Sequence, residues 1–211
     1  MNYPNFNNEI ELLEQGYAAI TGIDEVGRGA WAGPIVAAAV ILSPKNNIQG
    51  LNDSKMLSAK QRERLYDIIM EKAVGCSVGI VSNKTIDEIN IGEANLEAVN
   101  KAIAHLKATV KKSDYLLIDF LINKKIIILD NVPYRLVKHG DKKIVSIAAA
   151  SIIAKVARDR MMVDYNKEFP EYGFERHKGY GTFLHRQMIA KYGICDLHRK
   201  SFKPIKKLKA I

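Results

Sequence analysis

GIDEVGRGAWAGP, residues 22–34, decides how the rest of the chain is read. An apolar run from Tyr17 to Ile23 stops at two adjacent carboxylates, Asp24 and Glu25. Gly27, Arg28 and Gly29 follow, then Gly33 and Pro34. Like charges side by side repel unless something positive lies between them. Each glycine costs backbone entropy on folding. The stretch therefore reads as a strand that ends in a metal-binding pair and continues as a loop whose backbone approaches a substrate closely. One geometric problem comes with it. Successive side chains of a strand point to opposite faces, so Asp24 and Glu25 cannot both face one metal from an ideal strand. Either the strand breaks at Asp24, or one of the two contributes its backbone carbonyl.

Outward from this stretch, residues 35–42 (IVAAAVIL) are apolar throughout and bounded by Pro34 and Pro44, the pattern of a strand buried on both faces. Ser58 and Gln61 have capping-box spacing, and Leu65, Ile68 and Ile69 recur at helical spacing, so a helix is expected over 58–72. Residues 76–82 alternate as a third strand. A short helical piece with Asn83 as its cap runs to Ile89, and a longer helix covers 92–106 with Leu96, Val99, Ile103 and Leu106 on one face. Residues 115–119 (YLLID) form a fourth strand, again closing on an acid. Residues 125–129 and 134–137 are further strand candidates, and helices are expected over 144–165 and 182–191. The first 16 residues read as a loose segment with a short helix around 9–14. Residues 17–165 form the core, and 166–211 a helical extension ending in a basic tail. Strands and helices in this order give an α/β fold, a mixed sheet flanked by helices, with its site at strand ends.

Lys and Arg number 32 against 23 Asp and Glu, a net charge of +9. That balance points to a polyanion as partner, nucleic acid or an anionic membrane, with a solvated basic surface as the alternative. The cysteines, Cys76 and Cys195, have no zinc-ligand spacing and read as free thiols in a reducing compartment. The N-terminus lacks the pattern of a signal peptide, and no apolar run is long enough to span a bilayer. A cytoplasmic monomer is the expectation. The acids that carry chemistry are Asp24, Glu25, Asp119 and Asp141. Oxygen-only ligands suit Mg²⁺ or Mn²⁺. Each acid has an alternative reading: Asp141 suits a helix cap, Asp119 a turn, and the adjacent pair solvated loop charges.

GIDEVGRG with AGP, LNDSK, KHGD followed by SIAAASIIAKVARDR, YGFERHKGYGT and HRKSFKP together resemble the ribonuclease HII family of the ribonuclease H superfamily, over residues 22–204. The resemblance implies a ribonuclease H-like five-stranded mixed sheet with a C-terminal helical extension. It implies metal-dependent hydrolysis of the RNA strand of RNA–DNA hybrids, and incision at single ribonucleotides in duplex DNA. It places Asp24, Glu25, Asp119 and Asp141 as catalytic acids holding two ions. Gly27, Arg28 and Gly29 match the loop that reads a 2′-hydroxyl, Tyr180 the tyrosine on the deoxyribose side, and Lys55 a lysine near substrate phosphates. Lys138, Lys142, Lys143, Arg199 and Lys200 suit a phosphate backbone. Phe120 departs from the glycine usual after the third acid. The sister family, ribonuclease HIII, has an extra N-terminal domain and lacks the loop arginine. Two rivals stand beside this expectation: a non-catalytic nucleic-acid-binding module, and a superfamily nuclease that cuts DNA without any ribose.

Overall fold

The computed structural model describes residues 3–46, 48–110, 113–119 and 132–208. Five strands form one sheet: β1 (Ile20–Val26), β2 (Ile35–Ile41), β3 (Gly75–Val81), β4 (Tyr115–Asp119) and β5 (Tyr134–Val137). Their order is β3-β2-β1-β4-β5. The first three pair antiparallel, while β4 and β5 run parallel to β1. The helices are α1 (Asn7–Glu14), α2 (Ala59–Lys72), α3 (Asn83–Thr109), α4 (Val145–Glu168), α5 (Phe174–His177), α6 (Phe183–Tyr192) and α7 (Lys203–Leu208). Among the described residues no helix is long and apolar enough to cross a membrane. The strand candidate at 125–129 and Phe120 lie outside the described residues.

β2 explains the layering. Ile35, Ala37, Ala39 and Ile41 pack with α3 on one face, and Val36, Ala38 and Val40 with α2 and α4 on the other. An unbroken apolar run is what a strand covered on both sides requires. α2 begins with the expected capping box, Ser58 and Gln61 reciprocating. α3 is two helical pieces meeting at Asn90, whose φ is 68°. With ψ at 165° this is a sparsely populated backbone conformation that interrupts the helix, and the Asn90 Oδ1 caps the second piece by accepting from Gly92 N at 2.9 Å and Glu93 N at 3.2 Å. The cap of the first piece is Ser82, not Asn83, because the Ser82 hydroxyl accepts from Thr85 N.

The first residues, expected to be loose, are tied to the core. Leu12 of α1 is fully buried, and Glu9 Oε1 accepts from Ser146 N in the first turn of α4 at 3.0 Å. At the other end, Tyr172, Phe174, Ile189, Leu197 and Ile205 of the C-terminal extension form a cluster with Ala32 and Met162. Three histidines pack within the extension, with His185 Nε2 and His198 Nε2 3.1 Å apart and the His177 ring stacked on His185.

Candidate metal centre

Register places the acids. Asp24 pairs with Ala38 and Glu25 with Ala37, and directly paired residues share a face. Asp24 therefore lies on the α4 side and Glu25 on the α3 side. β1 continues through both to Val26, so the strand does not break at Asp24 and the alternation stands. On β4, Ile118 packs with the α3 cluster, which turns Asp119 to the α4 side. β1 and β4 are parallel neighbours in the middle of the sheet with Ile23 beside Ile118, so Asp24 and Asp119 meet toward the carboxyl ends of these strands. Asp141 comes from the short helical turn 140–142 just before α4. That turn is fastened to β4, because Gly140 N donates to Asp119 Oδ1 at 3.0 Å. Asp141 does not cap α4; Ile144 holds that position.

Asp24, Asp119 and Asp141 each offer an oxygen, and these atoms all lie within 4.8 Å of one another. The group is costly as bare charge. Burial raises the Asp24 pKa well above its usual value, and the charges of Glu25, Asp119 and Asp141 push it further. Burial also raises Asp141, with Asp53 and Asp119 adding to the effect and Lys55 opposing it. Three converging carboxylates fit a hard divalent cation. Glu25 is outside the trio. Its Oε1 lies 3.2 Å from Arg28 Nη1, a contact that opposes the upward shift caused by burial.

Lys55 Nζ lies 3.6 Å from Asp141 Oδ2 and 4.0 Å from Asp53 Oδ1, on a side chain that is 79% exposed. Burial works against its charge, but Asp53, Asp141, Asp24 and Asp119 outweigh this and raise its pKa. Asp53 is buried beside the acids and also caps the turn 54–56, accepting from Lys55 N at 2.9 Å. Asp53 belongs to the LNDSK motif, but nothing in that motif marks it as a neighbour of the other acids. Burial of an acid between lysines is not a local signal.

In the glycine loop, Gly27 has φ +96°, and a Cβ there would run into the Arg158 side chain. Gly29 is different: it is exposed, and a Cβ would meet nothing within 4 Å. Tyr180 is half-buried, with the Arg158 guanidinium 5.4 Å from its ring centroid. Trp31 N and Ala32 N both donate to Gly179 O, so the loop and the Tyr180 segment are neighbours. Lys138, Lys142, Lys143 and Lys200 are exposed as expected. Arg199 corrects the expectation: it is fully buried and bonded to loop carbonyls, so it cannot track a phosphate backbone.

A family model described as ribonuclease HII matches residues 21–205. The chain belongs to that family. The ribonuclease HII of Acetivibrio thermocellus is 53% identical over 194 residues, covering 92% of this chain and 73% of that protein. The ribonuclease HII of Acholeplasma laidlawii is 47% identical over 208 residues, covering 99% and 98%. Among solved structures, ribonuclease H2 of Pyrococcus horikoshii matches with a TM-score of 0.76 at 26% identity, covering 92% of this chain and 98% of that one. As a ribonuclease HII, the chain is an enzyme, a metal-dependent phosphodiester hydrolase, and the converging carboxylates supply oxygen ligands of the kind such a metal needs. The ribonuclease H-like mixed sheet with a helical C-terminal region is likewise the fold of the family.

Proposed function

We propose that this ribonuclease HII hydrolyses the RNA strand of RNA–DNA hybrids and cuts 5′ of single ribonucleotides embedded in duplex DNA, leaving 3′-hydroxyl and 5′-phosphate ends. The observation that carries the reading is the Asp24, Asp119 and Asp141 trio beside a glycine loop with an open position at Gly29. Asp24, Asp119 and Asp141 would hold Mg²⁺ or Mn²⁺, with Glu25 completing a two-ion site through its backbone carbonyl. When bound, such ions supply Lewis-acid stabilisation of the leaving oxygen and lower the pKa of water.

The chain's own residues do the rest. Lys55, anchored beside Asp141 and reaching into solvent, meets a substrate phosphate. Gly29 leaves room where any side chain would crowd a ribose, and the 2′-hydroxyl distinguishes RNA from DNA there. Arg28 is held to Glu25, which links the loop to the acids. Tyr180 packs on the deoxyribose on the far side of the junction. The test is a labelled duplex carrying one ribonucleotide beside its all-DNA twin, with and without Mg²⁺. Metal-dependent cutting at the ribonucleotide alone is expected. Equal cutting of the twin favours a DNA nuclease, and salt-sensitive binding without cutting favours a binding module. Asp119→Asn keeps hybrid binding and loses turnover by about 10³-fold, since metal stabilisation amounts to several kcal/mol. Cleavage near the wild-type rate by that variant removes Asp119 from the site.

A further inference from the structure

Two fully buried arginines, Arg158 on α4 and Arg199 in the extension, converge on the glycine loop. Every side-chain nitrogen of both donates to a main-chain carbonyl. Arg158 Nε reaches Pro34 O at 2.9 Å, Nη1 reaches Lys178 O at 2.9 Å, and Nη2 reaches Ala32 O at 3.1 Å. Arg199 Nε reaches Gly33 O at 2.9 Å, Nη1 reaches Arg28 O at 3.1 Å, and Nη2 reaches Pro34 O at 3.0 Å. Pro34 O thus accepts from both. Burying a guanidinium is costly, and apolar side chains often fill such space with no loss of stability. Here burial and the neighbouring charge of Arg158 both lower the Arg199 pKa. The hydrogen bonds that offset this cost fall almost entirely on residues 28–34.

The clasp also reaches the tyrosine. The Arg158 guanidinium lies 5.4 Å from the Tyr180 ring centroid and holds Lys178 O, two residues before it. Arg199 N donates to Trp31 O at 2.8 Å, and Gly33 N donates to Leu197 O at 2.9 Å, so the extension grips the loop through its backbone as well. Planar five-donor geometry is what allows one side chain to hold several carbonyls at once, and lysine lacks it.

We infer that Arg158 and Arg199 are positioning residues for ribose recognition: they fix the loop 27–34 against Tyr180 and so set how sharply the site separates a ribose from a deoxyribose. The inference rests on the proposed reading of that loop. Full-length Arg158→Lys and Arg199→Lys are compared with wild type by amide hydrogen exchange and by kinetics on the one-ribonucleotide duplex. Exchange should rise at residues 27–34 while β1 and β2 stay protected, and kcat should fall about tenfold or more. Arg28→Ala combined with Arg199→Lys should be little worse than the poorer single variant, because both act through one loop. Multiplicative losses in that double variant overturn the inference. So does unchanged loop exchange in both lysine variants. Exchange that rises uniformly across the sheet, with cleavage falling in step, also overturns it by making the arginines general supports of the fold. Wild-type protein indifferent to the ribose overturns the reading of function instead, and the exchange result then still decides the clasp.

Discussion

Asp24 and Glu25 are neighbours in sequence and occupy opposite faces of β1. An apolar run that stops at paired charges is unusual, so the pair stood out in the sequence as candidate site acids. Their division of labour was not legible there, since it depends on where β1 ends. With the strand continuing to Val26, Asp24 joins Asp119 and Asp141, while Glu25 turns toward Arg28. This has a consequence for stability. Unfolded, Asp24 ionises near 3.8; folded, burial first and then its acidic neighbours keep it protonated to higher pH. Between those two values the folded state binds more protons, so metal-free stability falls as pH rises through the interval. Asp24→Asn should therefore raise the metal-free melting temperature at neutral pH, by about 2–4 °C for each kcal/mol relieved. It should also flatten the decline above pH 4, and added Mg²⁺ should stabilise wild type more than the variant. Melting curves that fall equally steeply in both proteins would place the strain elsewhere. Gly29 offers a second test at this scale. Its Cβ position is open, so Gly29→Ala should change stability by no more than about 1 kcal/mol. Cleavage of the one-ribonucleotide duplex should nevertheless drop about tenfold or more, the effect of a 1–3 kcal/mol clash with substrate. A variant that folds and cuts normally removes Gly29 from ribose recognition.

Among the elements, α4 is the one that gathers the site. It follows the turn carrying Asp141, supplies Arg158, and packs on β1 and β2. Its start is set by Gly22, where a Cβ would run into the Ser146 backbone. Backbone cannot yield as a flexible side-chain tip can. Gly22→Ala should therefore destabilise by about 1–3 kcal/mol or more and weaken Mg²⁺-dependent stabilisation, since α4 and Asp141 move together. Thermal melts with and without metal separate the two effects; a variant with wild-type behaviour in both shows that α4 can shift freely. Much at this scale was legible from local pattern. The doubly buried β2, the capping box of α2 and the interruption of α3 near Asn90 all follow from residue type at short spacing. What local pattern missed is long-range. Nothing near Glu9 announces that it will accept from Ser146 N, 137 residues away. Ser82 displaced Asn83 as a cap by one position, and both residue types suit that role.

The whole molecule carries a net charge of +9, and its distribution matters more than its size. Arg158 and Arg199 are buried, so they contribute to loop geometry and not to an exposed phosphate track. Composition counts them equally with Lys138, Lys142 and Lys143, which are exposed around the turn that carries Asp141. Only the folded chain separates the two groups. Lys142 Nζ already lies 3.9 Å from Asp53 Oδ2, and a phosphate backbone that ran along these lysines to the acids would be held by their charge. Binding to a phosphate backbone releases condensed counterions, so log K falls linearly with log salt, by about 0.9 for each phosphate neutralised on duplex DNA. Hybrid binding measured without divalent metal, where cleavage is suppressed, should show this slope. Lys138→Ala, Lys142→Ala and Lys143→Ala should each lower its magnitude by up to about 0.9. Lys167→Ala is the control, because its charge is paired with Asp164 at 2.7 Å on α4. A slope that responds equally to all four substitutions would mean that the protein attracts the hybrid through its overall charge. A slope that responds only near Asp141 would mean that the basic track and the metal centre act on the same stretch of backbone.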